Sequence, residues 1–257
     1  MKVDRKKAQE VFAEYVENYD ETNTRIKLKI EHTYRVAELC EKIAQNLGLS
    51  SEDVDIAWLM GLLHDIGRFE QLKRYGTFND AQSINHAKLG VEILFEEQKI
   101  RGFIEDDSED MLIKDAIDCH NAYRIPEDFS DRTKTFSNIL RDADKIDIFK
   151  VHVLIPLEEI YNTSKKEIYT SSITKEVLDN FMEKDTVLRT LKKTQVDNVV
   201  GNISLIFGLV YKESIKIAAE QGDLYKFMEF KSQNDQVNKE FDKIREFVHL
   251  YIKEKIK

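Results

Sequence analysis

Apolar residues recur three or four positions apart along most of this chain, which is the spacing of amphipathic helices. In the last segment these positions are Val237, Phe241, Ile244, Val248, Tyr251 and Ile252. Residues 23–47 show the same spacing, and Gly48 ends it. Further helices are predicted near 82–98, 109–120, 132–152, 173–184 and 194–220. A strand-like pattern occurs only weakly, in VHVLIP at 151–156. The pattern therefore predicts an all-α protein.

The composition agrees with a helical chain, because helix breakers are scarce. The 257 residues include 2 prolines and 9 glycines, and 42% of the residues are hydrophobic, which suffices for a sizeable core. No repeat, low-complexity tract or Gly/Ser linker divides the sequence. We therefore predict a single all-α domain over residues 1–257, in which the last third packs as additional helices.

Charge and hydropathy limit the partners. A net charge of −9 disfavours a broad surface for duplex nucleic acid, although a local cationic site for a small anionic substrate is compatible with it. No apolar run approaches the roughly 20 residues of a membrane helix. The amino-terminal segment has no apolar signal-peptide core, and two cysteines are too few for a disulfide framework. These features predict a cytoplasmic protein without a membrane span.

The segment LMGLLHDIGRFEQ, residues 59–71, ends an apolar helix in adjacent polar residues. His64 and Asp65 would be costly beside a core unless they are paired or bind a metal. Gly67 is predicted to end the helix as a left-handed cap, which would place both side chains at the helix end. The pair is the first candidate for chemistry.

Two further residues acquire meaning only beside that pair. His32 lies at the edge of an apolar helix face in IEHTYRVAEL, and Asp144 lies in RDADKID after the apolar FSNIL run. Together the four side chains offer the imidazole and carboxylate ligands that suit Mn, Fe, Zn, Co or Ni. A water bound to such an ion has a lowered pKa and can act as hydroxide.

The order H…HD…D resembles the signature of the HD superfamily of metal-dependent phosphohydrolases. The surrounding words HTYRVAELCEKIA, GLLHDIGR and LRDADKIDI resemble it too, so the likeness covers about residues 24–150. It implies an all-α fold with an HD core at about 24–150 and a carboxy-terminal helical extension at about 156–257. It also implies that a metal is held by His32, His64, Asp65 and Asp144.

The resemblance favours Asp144 as the last ligand because that residue usually follows a small one, here Ala143. Asp142 is the alternative. Its neighbour Arg141 would then serve a salt bridge or a phosphate.

His86 and His120 are similar in order to the extra histidines of binuclear family members. Asp65 would then bridge two ions, which suits in-line phosphoryl displacement. However, Asn121 follows His120 where several such members carry a second histidine. The alternatives are that both histidines bond substrate phosphate around a single ion, or that both are satisfied core residues. One or two divalent ions are therefore expected.

Arg68 follows Asp65 by three residues and could grip phosphate oxygens bidentately. The alternative is an exposed arginine that favours the negative end of a helix dipole. The residues from Arg68 to Ser83 include Gly76 and several turn formers, and they are predicted to form a mobile lid.

The sequence as a whole predicts a hydrolase in which metal-activated water attacks a small phosphate ester, either a nucleotide or a phosphodiester. Asp65 and Arg68 are the candidate catalytic residues. Two alternatives are a non-catalytic nucleotide-binding HD protein and a di-iron oxygenase with the same fold.

Overall fold

The computed structural model describes residues 2–20 and 22–257, and helices account for most of them. No strand occurs within these two ranges, so the predicted all-α class is confirmed. The weak strand-like pattern at 151–156 forms no strand, because residues 151–154 complete a long helix that begins at Asp131. Its apolar residues alternate over too short a stretch to compete with the helical pattern that precedes them.

The helices group into two compact units, Met1–Asp144 and Lys145–Lys257. The assignment of 1–257 to a single domain, with a core at about 24–150 and an extension at about 156–257, stays a prediction. Among the described residues, no helix is both long enough and apolar enough to cross a membrane.

The first unit contains seven α-helices and the greater part of an eighth within its described residues. They are α1 Arg5–Val16, α2 Thr24–Asn46, α3 Ser51–Leu63, α4 Ile66–Tyr75, α5 His86–Val91, α6 Ile100–Phe103, α7 Asp110–Cys119 and α8 Asp131–Leu154, with a 3-10 turn at Asp80–Gln82 and a π-helical turn at Glu92–Glu96.

The helices α2 and α3 form the centre of this unit. Every residue of α3 from Ile56 to Leu63 is buried, as expected for a helix that is apolar on all sides. A Cβ atom on Gly61 would lie 2.6 Å from the Cα atom of Ala37, so the missing side chain lets the two helix backbones approach closely. This close packing brings the end of α3 beside the middle of α2.

Gly67 does not end the helix, so the prediction of a left-handed cap is wrong. The helix α3 ends at Leu63, and α4 begins at Ile66 after a break at His64 and Asp65. Gly67 lies in the first turn of α4, where a Cβ atom would lie 2.2 Å from the His86 carbonyl oxygen and 2.6 Å from the Gly90 nitrogen. Its small size serves the contact between α4 and α5. The left-handed cap is at Gly76, with φ 69°.

The mobility predicted for the lid at 68–83 stays a prediction, but the structure shows how this segment is held. Its first half lies in α4, and side chains of that helix bind the second half. Arg68 Nη1 donates to the Phe78 carbonyl oxygen at 2.6 Å, and Gln71 Nε2 donates to Ser83 Oγ and to the Ile84 carbonyl oxygen, both at 2.9 Å. These long-range hydrogen bonds have no periodic signature in the sequence, so composition alone did not predict them.

The second unit is built from six short helices and one long helix within its described residues. They are α9 Leu157–Ile160, α10 Lys165–Thr170, α11 Lys175–Met182, α12 Gln195–Ile203, α13 Lys212–Gln221, α14 Asp223–Met228 and α15 Asp235–Lys255, with 3-10 turns at Arg189–Leu191 and Ser204–Gly208. The helix predicted over 194–220 is therefore interrupted, by one of these turns and by non-helical residues 209–211. The apolar face predicted for the last helix is buried throughout and is confirmed.

Candidate metal centre

Three elements of the first unit bring His32, His64, Asp65 and Asp144 together. His32 comes from the middle of α2, His64 and Asp65 from the break between α3 and α4, and Asp144 from α8. The His32 Nε2 atom lies 3.2 Å from Asp144 Oδ1 and 3.5 Å from Asp65 Oδ2. The His64 Nε2 atom lies 3.5 Å from the same Asp65 oxygen. Residues from three distant parts of the sequence thus form one cluster.

The second oxygen of Asp65 faces a different pair of histidines. Asp65 Oδ1 lies 3.4 Å from His86 Nε2 and 3.8 Å from His120 Nε2. The two Nε2 atoms are 2.9 Å apart. The four histidine side chains around Asp65 are buried, and the side chain of Asp144 is 21% exposed. Asp65 therefore connects two groups of potential ligands.

Hydrogen bonds at the Nδ1 atoms set the tautomers of His64 and His120. Nδ1–H of His64 donates to the Gly61 carbonyl oxygen at 2.7 Å, and Nδ1–H of His120 donates to the Ile117 carbonyl oxygen at 2.7 Å. Since a neutral imidazole carries one N–H, both rings direct an Nε2 lone pair into the cluster. The buried His64 Nε2 atom has no hydrogen-bond partner. A buried lone pair that faces carboxylates in this way is a suitable ligand for a cation.

The donor atoms have the chemistry and the spacing of metal ligands. Imidazole nitrogens and carboxylate oxygens bind first-row transition ions at about 2.0–2.2 Å, so ligands at right angles to each other lie about 3 Å apart. The observed 2.9 Å between His86 and His120 and 3.2 Å between His32 and Asp144 match that spacing. Two groups, His32–His64–Asp144 and His64–Asp65–His120, have all ligand atoms within 4.8 Å of one another. The residues fit one ion or two.

The local charges hold these groups in their ligand forms. Burial alone would raise the pKa of the Asp65 carboxyl, but the positive charge of Lys29, 2.6 Å from Asp65 Oδ2, holds that pKa well below its usual range. Burial lowers the pKa of His120 to about 3, and the neighbouring His86 adds to the effect. At neutral pH the carboxylate is therefore ionised and the imidazole neutral, which are the states that bind metals.

Two residues of the centre escaped the sequence reasoning. Lys29 Nζ lies 2.6 Å from Asp65 Oδ2, and Asp80 Oδ2 lies 2.7 Å from His86 Nδ1. Lys29 had a signal, because it precedes His32 by three residues and thus shares its helix face. Asp80 had none, since it lies in the irregular segment between α4 and α5.

Arg68 lies at the edge of the cluster. Its Nη1 atom donates to Asp80 Oδ1 at 2.8 Å and to Gln71 Oε1 at 2.9 Å, and its Nε atom is 3.6 Å from Asp65 Oδ1. The interpretation as an exposed arginine at a helix C-terminus is wrong, because Arg68 occupies the first turn of α4 and its side chain is only 16% exposed. Its contact with a phosphate stays a prediction.

Arg141 forms hydrogen bonds with backbone carbonyl oxygens of the turn that follows α7. Its guanidinium donates to the carbonyl oxygens of Cys119 at 2.9 Å, His120 at 3.2 Å and Tyr123 at 3.1 Å. It thereby holds the turn that carries His120, rather than facing a phosphate. Asp142 is fully buried, and the ligand groups found among the described residues include Asp144 in its place.

Comparisons with known proteins agree with the geometry. The sequence profile described as HD domain matches residues 30–149. Over 56 residues the chain is 39% identical to the 3'3'-cGAMP-specific phosphodiesterase 1 of Vibrio cholerae serotype O1. That similarity covers 20% of this chain and 13% of the relative's own length. No solved structure matches the chain.

Proposed function

Since residues 30–149 form an HD domain, we propose that the protein is a metal-dependent phosphohydrolase that acts on a small phosphate ester, a nucleotide or a phosphodiester. The observation that carries the proposal is the carboxylate of Asp65, whose two oxygens face separate groups of imidazoles. The similarity to a phosphodiesterase over 56 residues supports phosphate-ester hydrolysis as the reaction class.

The ligand assignment follows the two oxygens of Asp65, since His32 and His64 face Oδ2 and His86 and His120 face Oδ1. His32, His64, Asp65 and Asp144 would hold one divalent transition ion (Mn, Fe, Ni, Co or Zn), and His86, His120 and Asp65 would hold a second. Such ions supply Lewis acidity and lower the pKa of a bound water.

The side chains would position the reacting groups. Asp65 orients the attacking water by accepting a hydrogen bond from it. Arg68 and Lys29, whose cationic groups lie 3.6 Å and 2.6 Å from the Asp65 oxygens, bring positive charge to the side on which phosphoryl oxygens accumulate negative charge.

The tautomers of His86 and His120 favour a second ion over the alternative in which these two histidines bind phosphate. A histidine holds phosphate by donating an N–H, yet the inward Nε2 atom of His120 carries a lone pair, because its Nδ1–H donates to the Ile117 carbonyl oxygen. The same holds for His86, whose Nδ1–H is used on Asp80. Two lone pairs 2.9 Å apart attract a cation and repel an anion.

The test combines metal content with turnover. Protein purified without a metal-affinity tag is analysed by mass spectrometry for transition ions per chain. Hydrolysis of bis-p-nitrophenyl phosphate, nucleoside monophosphates and cyclic dinucleotides is then measured with and without added manganese. We expect about two ions per chain and metal-dependent release of product.

Asp65→Ala is the decisive variant, because it removes the carboxylate shared by both ligand groups. We expect loss of bound metal and a decrease in turnover of at least about 100-fold. Asp118→Ala, at an exposed position of α7, is the matched control and should retain both. Retained turnover in Asp65→Ala would refute the mechanism. Nucleotide binding without hydrolysis would indicate a non-catalytic binder, and visible absorption with iron alone would indicate an oxygenase.

A further inference from the structure

We infer that Asp80 is a positioning residue that fixes the tautomer and orientation of His86, and so allows His86 and His120 to hold a cation together. The inference rests on the second ion of the proposed function. It concerns a residue that lies outside the H…HD…D pattern.

The carboxylate of Asp80 is itself held by several donors. Asp80 Oδ1 accepts from Arg68 Nη1 at 2.8 Å and from Gln71 Nε2 at 2.9 Å. Asp80 Oδ2 accepts from His86 Nδ1 at 2.7 Å and from Asn121 Nδ2 at 3.1 Å. Both oxygens are thus engaged, and the carboxylate cannot turn away from His86 without breaking hydrogen bonds on its other side.

This contact decides what His86 presents to the cluster. Because an ionised carboxylate only accepts, the hydrogen on Nδ1 of His86 is the one that it donates. The lone pair of His86 is therefore on Nε2, 3.4 Å from Asp65 Oδ1 and 2.9 Å from His120 Nε2. A carboxylate on the far nitrogen also raises the basicity of a ligating imidazole, which strengthens its bond to a metal.

The helix α4 connects the two sides of the centre. Asp65 immediately precedes α4, and Arg68 and Gln71 lie one turn apart on it. Gln71 is fully buried, and its amide also holds Ser83 and Ile84, so the segment that carries Asp80 follows α4 as a unit. The same helix therefore follows directly on Asp65 and carries the two side chains that hold Asp80.

Cobalt titration of metal-depleted protein measures the effect. Wild type should bind two Co²⁺ per chain, and visible absorption and calorimetry measure each binding step. Asp80→Asn should weaken the second binding step by about 10- to 100-fold, the usual effect of removing such a partner, and leave the first step within about threefold. Asp118→Asn makes the same chemical change at an exposed site of α7 and should alter neither step.

Nitrogen-15 NMR of the histidine rings supplies a readout that a merely structural role would not affect. In metal-free wild type, His86 should be in the Nδ1–H tautomer. In Asp80→Asn it should populate both tautomers. The wild-type spectrum requires no variant, so it decides the matter even if Asp80→Asn does not fold.

Three results would overturn the inference: an Nε2–H tautomer of His86 in wild type, uptake of a single Co²⁺ by wild type, or an unchanged second step in Asp80→Asn. These failures are distinct from failure of the proposed function. Hydrolysis with one ion per chain would preserve the function and refute the role of Asp80. If wild type binds two ions, Asp80→Asn weakens the second step and no substrate is hydrolysed, the role of Asp80 would stand and the proposed function would be refuted.

Discussion

Gly67→Ala should destabilise the protein severely although it only adds one methyl group. The new Cβ atom would lie 2.2 Å from the His86 carbonyl oxygen and 2.6 Å from the Gly90 nitrogen. Non-bonded contacts of this kind normally exceed about 3.4 Å, so α4 and α5 would have to separate by about 1 Å. Both colliding atoms belong to the backbone and cannot rotate away. His86, the first residue of α5, would move with it.

The magnitude follows from the cost of overpacking. Extra methylene groups in a packed core cost about 1–3 kcal/mol, and a backbone collision belongs at or above the upper end of that range. We therefore expect a loss of about 3 kcal/mol or more. With a urea m-value of about 3 kcal/mol per molar, the midpoint of unfolding would fall by about 1 M or more.

Gly90→Ala is the matched control across the same contact. Its Cβ atom would meet the Gly67 nitrogen and the Ile66 Cγ2 atom at 3.5 Å, which are ordinary van der Waals distances. Because Gly90 lies within α5, alanine should be neutral or stabilise the protein by up to about 1 kcal/mol.

Urea unfolding of both variants is followed by circular dichroism, and Co²⁺ uptake is measured in parallel. The predicted outcome is asymmetric: Gly67→Ala loses stability and cobalt affinity, and Gly90→Ala loses neither. Equal midpoints for the two variants, or a stable Gly67→Ala, would refute the close-approach argument.

Three further outcomes are expected. Arg141→Met should cost about 3 kcal/mol and weaken cobalt binding, measured by urea unfolding and titration, because charged hydrogen bonds to the turn of His120 are lost. Burial lowers the pKa of His152 to about 4, below the roughly 6.5 of an unfolded histidine. The contribution of this residue to stability is therefore present above pH 6.5 and falls by about 3 kcal/mol as the pH falls to about 4. His152→Gln should reduce that loss in urea midpoints compared at about pH 7 and pH 4.5, and an identical pH profile would contradict it. Burial raises the pKa of the Cys40 and Cys119 thiols, so neither should react with a thiol reagent before unfolding, and both should react afterwards.

The fold was predictable where one physical signal dominated. Periodic apolar positions identified α2 and α15, because burial of one helix face is a local property of the sequence. The same reasoning failed where tertiary contacts determine the local conformation. Gly67 looks like a helix stop in sequence, yet its role depends on the approach of α5, whose position no local pattern reveals. The helix predicted over 194–220 failed similarly, since a 3-10 turn at Ser204–Gly208 interrupts an otherwise apolar run.

The candidate ligands of the site were predictable from the sequence, but the residue that holds one of them in place was not. His32, His64, Asp65 and Asp144 form a recognisable order in sequence, and the structure brings them together. Asp80 is invisible to such reasoning because a single carboxylate in an irregular segment has no periodicity. Its function depends on a partner that α4 and α5 place beside it.

The charges around Asp65 explain why so polar a pair can follow an apolar helix. Asp65, Asp80 and Asp144 bring three carboxylates, and Lys29 and Arg68 bring two positive charges, which leaves one excess negative charge among these five side chains. Buried charge without compensation is strongly unfavourable, so a divalent cation should stabilise this arrangement beyond the effect of its ligand bonds alone. A cation that binds only the folded protein at 100 times its dissociation constant adds about 2.7 kcal/mol to stability. The apolar core of α3 thus fixes the break at His64 and Asp65, and under the proposed function a cation would offset the cost of placing these charged groups there.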